Sequence, residues 1–190
     1  MELRVTTGSA KNKKLIAPEI PGFRAVQEIA KSSMFSIIGE KIEGSVCLDL
    51  FAGSGNLGIE ALSRGAAWCD FVDGNSGSAE AIRRNVENCG FYDKSSVTLK
   101  NAVKYVAATD KKYDLIFMDP FYSDLSQKYL LRLIAKRLKE HGLLFYFYSP
   151  ENADAVAAMI KMANLCITDS RAFGNSTFSV VAALDNDVVV

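Results

Sequence analysis

The chain has 190 residues, 49% hydrophobic and 23% charged, which suits one globular domain with a full core and at most a small appendage. Its 22 basic and 22 acidic residues cancel, so no global field draws it to nucleic acid, and any basic surface must be local. No apolar run approaches a membrane span and the start, MELRVTTG, lacks an apolar signal segment, so a cytoplasmic protein is expected.

Residues 2–17 hold two short extended candidates, LRVTT and KLIAP. Four basic residues, Arg4, Lys11, Lys13 and Lys14, lie here against one acid, Glu2. Such a cluster is either a solvated loop or a contact for nucleic acid. A helix is expected over 24–38. From residue 46 onward strand and helix alternate. Strand signals fall at 46–50, 68–73, 96–101, 113–119 and 143–149; helix signals fall at 55–65, 77–90, 102–109, 125–140 and 152–164. Gly65, Gly90 and Gly142 stand where helices should stop. Lys128, Arg132, Lys136 and Lys139 follow at helical steps and read as one solvated face. His141, beside Gly142, reads as a helix-terminus residue. The strands are mostly continuous apolar runs, as parallel strands covered on both faces should be. Two last strands, 165–173 and 176–184, flank Gly174-Asn175, a hairpin signal. The expected fold is a Rossmann-like α/β sheet, mostly parallel and seven-stranded. Its antiparallel C-terminal strand marks the class I methyltransferase architecture. Residues 1–44 would form a small hairpin-and-helix extension and 45–185 the main domain. The four cysteines, 47, 69, 89 and 166, have no C-x-x-C spacing and read as reduced core residues. No metal site is expected.

The stretch LDLFAGSGNLGIEALSRGA (48–66) reads as strand, tight glycine turn and helix. Glycines let the backbone turn sharply and approach a ligand closely. The helix start behind them offers unpaired N–H groups. Gly53, Gly55 and Gly58 also fit the dinucleotide fingerprint, with Asp73 at the distance of a ribose-binding acid. This stretch alone therefore fits a nicotinamide enzyme or an S-adenosylmethionine enzyme. Two features favour the second. Asp49 stands inside the strand end, where it could face the cofactor's ammonium group. DPFY (119–122) ends the fourth strand and has no role in hydride transfer.

DPFY suits methyl transfer to a base amine. Such an amine is a poor nucleophile because its lone pair is delocalised into the ring. The carboxylate of Asp119 and the carbonyl of Pro120 could each accept one of its N–H bonds, aiming the lone pair at the methyl group. Tyr122 could stack on the base. DLFAGSG, VDGN, KNAV and DPFY all fall at carboxyl ends of strands, where ligands of open parallel sheets bind.

With these motifs in hand, the chain resembles the RsmD-type bacterial methyltransferases, which modify the exocyclic amine of a guanine in small-subunit ribosomal RNA. The resemblance runs from Leu3 to about Val181. It rests on LDLFAGSGNLGIEALSRGA, FVDGN, YDLIFMDPFY, the N-terminal RVTTGSAKNKKL and the closing GNSTFSVV. It departs at Phe121, where the family has a second proline. It departs also at Asn101, where an acid is usual, and over RAVQEIAKS (24–32), where only Arg24 keeps the family residue. There Glu28 and Lys31 keep the charge sign, and Ile29 replaces an arginine. The resemblance implies S-adenosylmethionine as cofactor. Asp49, Ala52, Gly53, Ser54, Gly55 and Leu57 would wrap its methionine half. Asp73 would take the ribose hydroxyls with Gly74 beside it, and Asn101 and Ala102 would border the adenine. Asp119, Pro120 and Tyr122 would hold the target base. Arg4, Lys11, Lys13, Lys14 and Arg24 would meet RNA. The partner would be ribosomal RNA or the small ribosomal subunit, and the protein a monomer. Three rivals stay open: an adenine-N6 methyltransferase on DNA or RNA, a nicotinamide-linked oxidoreductase, and a non-catalytic RNA-binding protein of the same fold.

Overall fold

The structure, a computed structural model, describes residues 3–121 and 127–184. A two-stranded hairpin, β1 (Leu3–Arg4) and β2 (Lys14–Leu15), leads through an irregular segment to α1 (Glu28–Ile38). Then follow β3 (Val46–Leu50), α2 (Asn56–Ser63), β4 (Trp68–Asp73), α3 (Ser76–Cys89), β5 (Ser95–Leu99), α4 (Ala102–Ala108) and β6 (Tyr113–Met118). The chain closes with α5 (Lys128–Ala135), β7 (Leu138–Tyr148), α6 (Ala153–Met162), β8 (Leu165–Phe173) and β9 (Ser176–Ala183). Seven strands form one sheet in the order β5-β4-β3-β6-β7-β9-β8. The pairs from β5 to β7 are parallel, and β9 is antiparallel to both β7 and β8. This is the expected sheet, with the last strand inserted against the grain.

Alternate residues of the central strands feed two apolar layers. Leu115 and Phe117 of β6 face one layer, Ile116 and Met118 the other. In the first layer Phe35 of α1 packs on Phe117 (5.9 Å between ring centroids), Phe117 on Phe145 (6.1 Å) and Phe145 on Phe178 (6.2 Å). This aromatic row runs across three neighbouring strands and ties α1 to the sheet. Each such contact contributes about 0.5–1.5 kcal/mol beyond its area burial.

The extension is bolted to α2 by polar contacts. Glu60 of α2 is 0% exposed and Lys31 of α1 is 1% exposed, and they pair at 3.0 Å. The Lys31 ammonium also donates to the Arg4 carbonyl (2.9 Å) and Asn56 Oδ1 (2.7 Å), so its three protons meet three acceptors. Glu60 accepts from both the N–H and the hydroxyl of Thr6, from the Thr7 N–H, and from Arg64. A buried charge needs this degree of compensation. Asn85 of α3 holds β2's exit by exchanging two bonds with the backbone of Ile16.

Three expectations need correction. The helix expected over 125–140 ends at Ala135, and residues 138–140 belong to β7. Leu138 pairs with Tyr113, and Lys139 bonds Asp114 across the strands at 2.7 Å, so Lys139 is not on the helix face. Gly142 is not a helix stop, and His141 is not a helix-terminus residue. The β6–β7 ladder slips here, His141 takes φ 60°, and a Cβ on Gly142 would stand 2.9 Å from the Tyr113 carbonyl. A bulge needs a residue that lets backbones approach closely. Finally, α1 starts at Glu28 rather than at residue 24. Among the described residues, no helix is long and apolar enough to cross a membrane. Cys47 and Cys69 are buried, and none of the four cysteines is in a disulfide.

Candidate active site

The carboxyl ends of β3, β4 and β6 open onto one cleft of about 200 Å³. After Leu50 the backbone reverses through Phe51, Gly53 and Gly55, all at positive φ. The three motif glycines answer to three different constraints. Gly55 caps α2 in a left-handed conformation, at φ 75°. A Cβ on Gly58 would stand 2.6 Å from Cys69 Sγ and would also strike the Phe71 ring, so this glycine lets α2 lie close on β4. A Cβ on Gly53 would stand 2.7 Å from the ring of Phe23, which comes from the irregular segment before α1.

Asp49 is buried, and its Oδ2 accepts the Gly58 N–H at 2.8 Å. It therefore occupies part of the donor set at the start of α2. A dinucleotide's pyrophosphate needs that set, and here one of its donors is already taken by a side chain. Burial raises the Asp49 carboxyl well above its ordinary value, and the charges of Asp119 and Asp73 add to this while the Gly58 bond opposes it. At the end of β4, Asp73 Oδ2 accepts the Gly53 N–H (2.9 Å) and Oδ1 accepts the Asn75 N–H (2.8 Å). Asp73 thus ties the glycine loop to Asn75, whose side chain caps α3. Each of its oxygens keeps a further lone pair for a ligand hydroxyl. At the end of β6, Asp119 is half-buried; burial pushes its carboxyl up to about 7, against the pull of the Arg24 charge.

Asp49, Ala52, Gly53, Ser54, Leu57 and Asp73 line the cleft. Asp119, Pro120, Phe121 and Arg24 also line it. Three carboxyl groups in so small a space favour a ligand bearing positive charge. The Ser54 hydroxyl is buried and has no hydrogen-bond partner among the described residues, so a polar ligand group can bond it. These residues fit a cofactor that carries a sulfonium, an ammonium and a ribose.

Several expected residues stand elsewhere. Gly55 does not line the cleft, and neither do Gly74, Asn101 or Ala102. Asn101 instead caps α4, its Oδ1 accepting the Lys104 N–H at 3.2 Å. Arg4, Lys11, Lys13 and Lys14 lie on the hairpin, outside the cleft, with Arg4 bonded to Glu28 at 3.0 Å. Tyr122 lies outside the described residues. Other lining residues escaped the sequence reading: Ile20, Phe23, Gln27, Asn56, Asn175 and Ser176. Pro18, Pro21 and Gly22 were a usable signal that 18–22 would not be helical. The hairpin turn at Gly174-Asn175 was legible, but its reach to the cleft was not.

A family profile described as Conserved hypothetical protein 95 matches residues 3–182. The "Putative rRNA methyltransferase YlbH" of Bacillus subtilis is 36% identical over 147 residues, covering 75% of this chain and 80% of that protein. The "Ribosomal RNA small subunit methyltransferase D" of Escherichia coli K12 is 28% identical over 143 residues, covering 75% of this chain and 70% of the relative. Among solved structures, "Putative methyltransferase yhhF from Escherichia coli" superposes with a TM-score of 0.81 at 22% identity, over 95% of this chain and 97% of that one. The chain belongs to this family, the RsmD type that its motifs resembled.

Proposed function

We propose that this protein is an S-adenosylmethionine-dependent methyltransferase of ribosomal RNA whose acceptor is the exocyclic N2 amine of a guanine. The observation that carries the reading is Asp119: a desolvated carboxyl at the end of β6, opening onto the same cleft as Asp49 and Asp73 and followed by buried Pro120. The names of the relatives support ribosomal RNA as substrate.

When bound, S-adenosylmethionine supplies a methyl group already activated on a sulfonium. Asp73 would hold its ribose hydroxyls, and Asp49, Ala52, Gly53, Ser54 and Leu57 its methionine half, with Gly55 shaping the loop. Gly74 would stand beside Asp73 at the ribose, and Asn101 and Ala102 would border the adenine. Ionised Asp119 and the Pro120 carbonyl each accept one N–H of the target amine. That fixes the nitrogen in a near-attack position and favours its pyramidal geometry. With its carboxyl near 7, Asp119 is also a competent acceptor for the proton the nitrogen sheds. Tyr122 would stack on the base. Residues 1–44 would contact the RNA through Arg4, Lys11, Lys13, Lys14 and Arg24, and 45–185 would carry out transfer. The protein would act in the cytoplasm as a monomer.

The test is methyl transfer from labelled cofactor to ribosomal RNA and to small-subunit particles from cells lacking the gene, followed by nucleoside analysis. N2-methylguanosine is expected. N6-methyladenosine would move the acceptor to adenine. Tight RNA binding with no transfer to any base would sink the enzymatic reading in favour of an RNA-binding role.

A further inference from the structure

Phe121 is 61% exposed although it follows buried Pro120 directly. Among the described residues, it is the only exposed large apolar side chain that lines the cleft. A ring left this open to water forgoes most of the burial that stabilises a core phenylalanine. Aromatic rings left open beside nucleic-acid channels are stacking platforms, because every base has a π-face. Phe121 lies two residues beyond Asp119, at most about 7 Å along the chain. The two groups differ in exposure: Asp119 is half-buried, whereas Phe121 is 61% exposed. A base whose amine reaches Asp119 has left its stack. Its neighbour in sequence then has one bare face at the mouth.

Resting on the methyltransferase reading above, we propose that Phe121 forms a second base subsite, which stacks on the unpaired nucleotide flanking the target. The substrate is therefore a single-stranded or bulged RNA segment of at least two unpaired nucleotides, not a lone base flipped from an intact duplex. Arg24, on the same cleft, adds a cation for the intervening phosphate.

The test uses the full chain and RNA fragments carrying the nucleotide that wild type methylates, once it is mapped. Phe121→Ala should raise KM for RNA about 10-fold with kcat within twofold, and Phe121→Trp should restore KM. Cofactor affinity and melting temperature should not move, because the ring is exposed. An RNA with an abasic residue next to the target should raise the wild-type KM by a similar factor. On that RNA Phe121→Ala should have no further effect. Equal KM for Phe121→Ala and wild type, or additive losses on the abasic RNA, would overturn the subsite. If wild type methylates no RNA, the underlying functional reading fails instead, a result distinct from either.

Discussion

Asp119 concentrates the conflict between folding and chemistry. The amine-aligning role proposed for it needs the ionised form, yet burial favours the neutral one and pushes the carboxyl up to about 7. For activity, kcat/KM for RNA should therefore rise as pH increases through about 7, and level off above it. Asp119→Ala should lower the methylation rate by about 10²–10³-fold, as for removal of one preorganised group. Asp119→Asn should also be poor, because an amide keeps one acceptor oxygen but loses the charge. For stability the sign is opposite. The folded value lies above the ordinary 3.8, so the native state binds more protons than the unfolded chain between the two values. The stability contributed by neutral Asp119 is complete below 3.8 and is lost as pH rises to about 7. Asp119→Asn removes that titration. Its melting temperature relative to wild type should climb across that window and then stay flat; a constant difference from pH 4 to pH 8 would show that Asp119 is not desolvated in solution. Asp73 behaves differently, because both its oxygens already hold backbone N–H groups. Asp73→Asn points an NH2 at one of those donors. Cofactor affinity measured by calorimetry should fall by about 1–3 kcal/mol, part of it through disorder of the glycine loop.

At the scale of elements, α2 is the part most fully specified by its neighbours, for every residue from Asn56 to Ser63 is buried. Burial pushes Glu60 up, but Lys31 and the two Thr6 donors outweigh it, so its carboxyl ends below the ordinary value. The stability this carries is present above the ordinary value, 4.5, and is lost as pH falls through the lowered one. Removing one partner leaves the other charge buried. Lys31→Met should cost about 3–5 kcal/mol in denaturant unfolding, whereas Lys31→Met combined with Glu60→Leu should recover much of it. A double variant as unstable as the single one would mean that the Thr6 and Thr7 bonds, not the ion pair, hold α2. This cluster also marks what sequence could and could not reveal. The strand–glycine–helix stretch at 46–65 and the strands at 68–73 and 113–119 were legible because apolar runs and glycines are local signals. The inserted β9 was legible through its Gly174-Asn175 turn. The α5–β7 boundary was not, because Lys128, Arg132, Lys136 and Lys139 keep helical spacing while Lys139 answers to Asp114 on β6, the neighbouring strand but far away in sequence. The late start of α1 was hidden for the same kind of reason. Residues 20–27 follow the surface of the cleft, where Phe23 meets Gly53, and no local periodicity reports that contact.

Across the whole molecule, zero net charge conceals a separation of charge. The cleft gathers Asp49, Asp73 and Asp119, while the hairpin turn presents exposed Lys11, Lys13 and Lys14. Such a separation would suit a protein that binds a cationic cofactor and a polyanion together, because the lysines stand away from the cofactor. It works only if the hairpin is held still, and the structure holds it. The Ser9 N–H donates to the Ser63 carbonyl at 2.8 Å, the Ala10 N–H donates to Ser63 Oγ at 2.9 Å, and Gly8 packs so tightly against Ser63 that a Cβ would overlap its backbone. The three lysines therefore stand at a fixed place relative to the cleft, which the proposed RNA contact would use to set the register of the backbone without reading its sequence. Replacing all three with alanine should weaken RNA binding and flatten the plot of log K against log salt by about two, since each neutralised phosphate on a single strand contributes a slope of about 0.7. Cofactor affinity should stay unchanged, because none of these three lysines lines the cleft. The turnover of bound RNA should also persist, which separates a docking contact from a catalytic one. Fluorescence anisotropy across a salt series measures the slope, and single-turnover methylation at saturating enzyme measures the rate. An unchanged slope would mean that the turn is merely solvated and that the RNA approaches by another face.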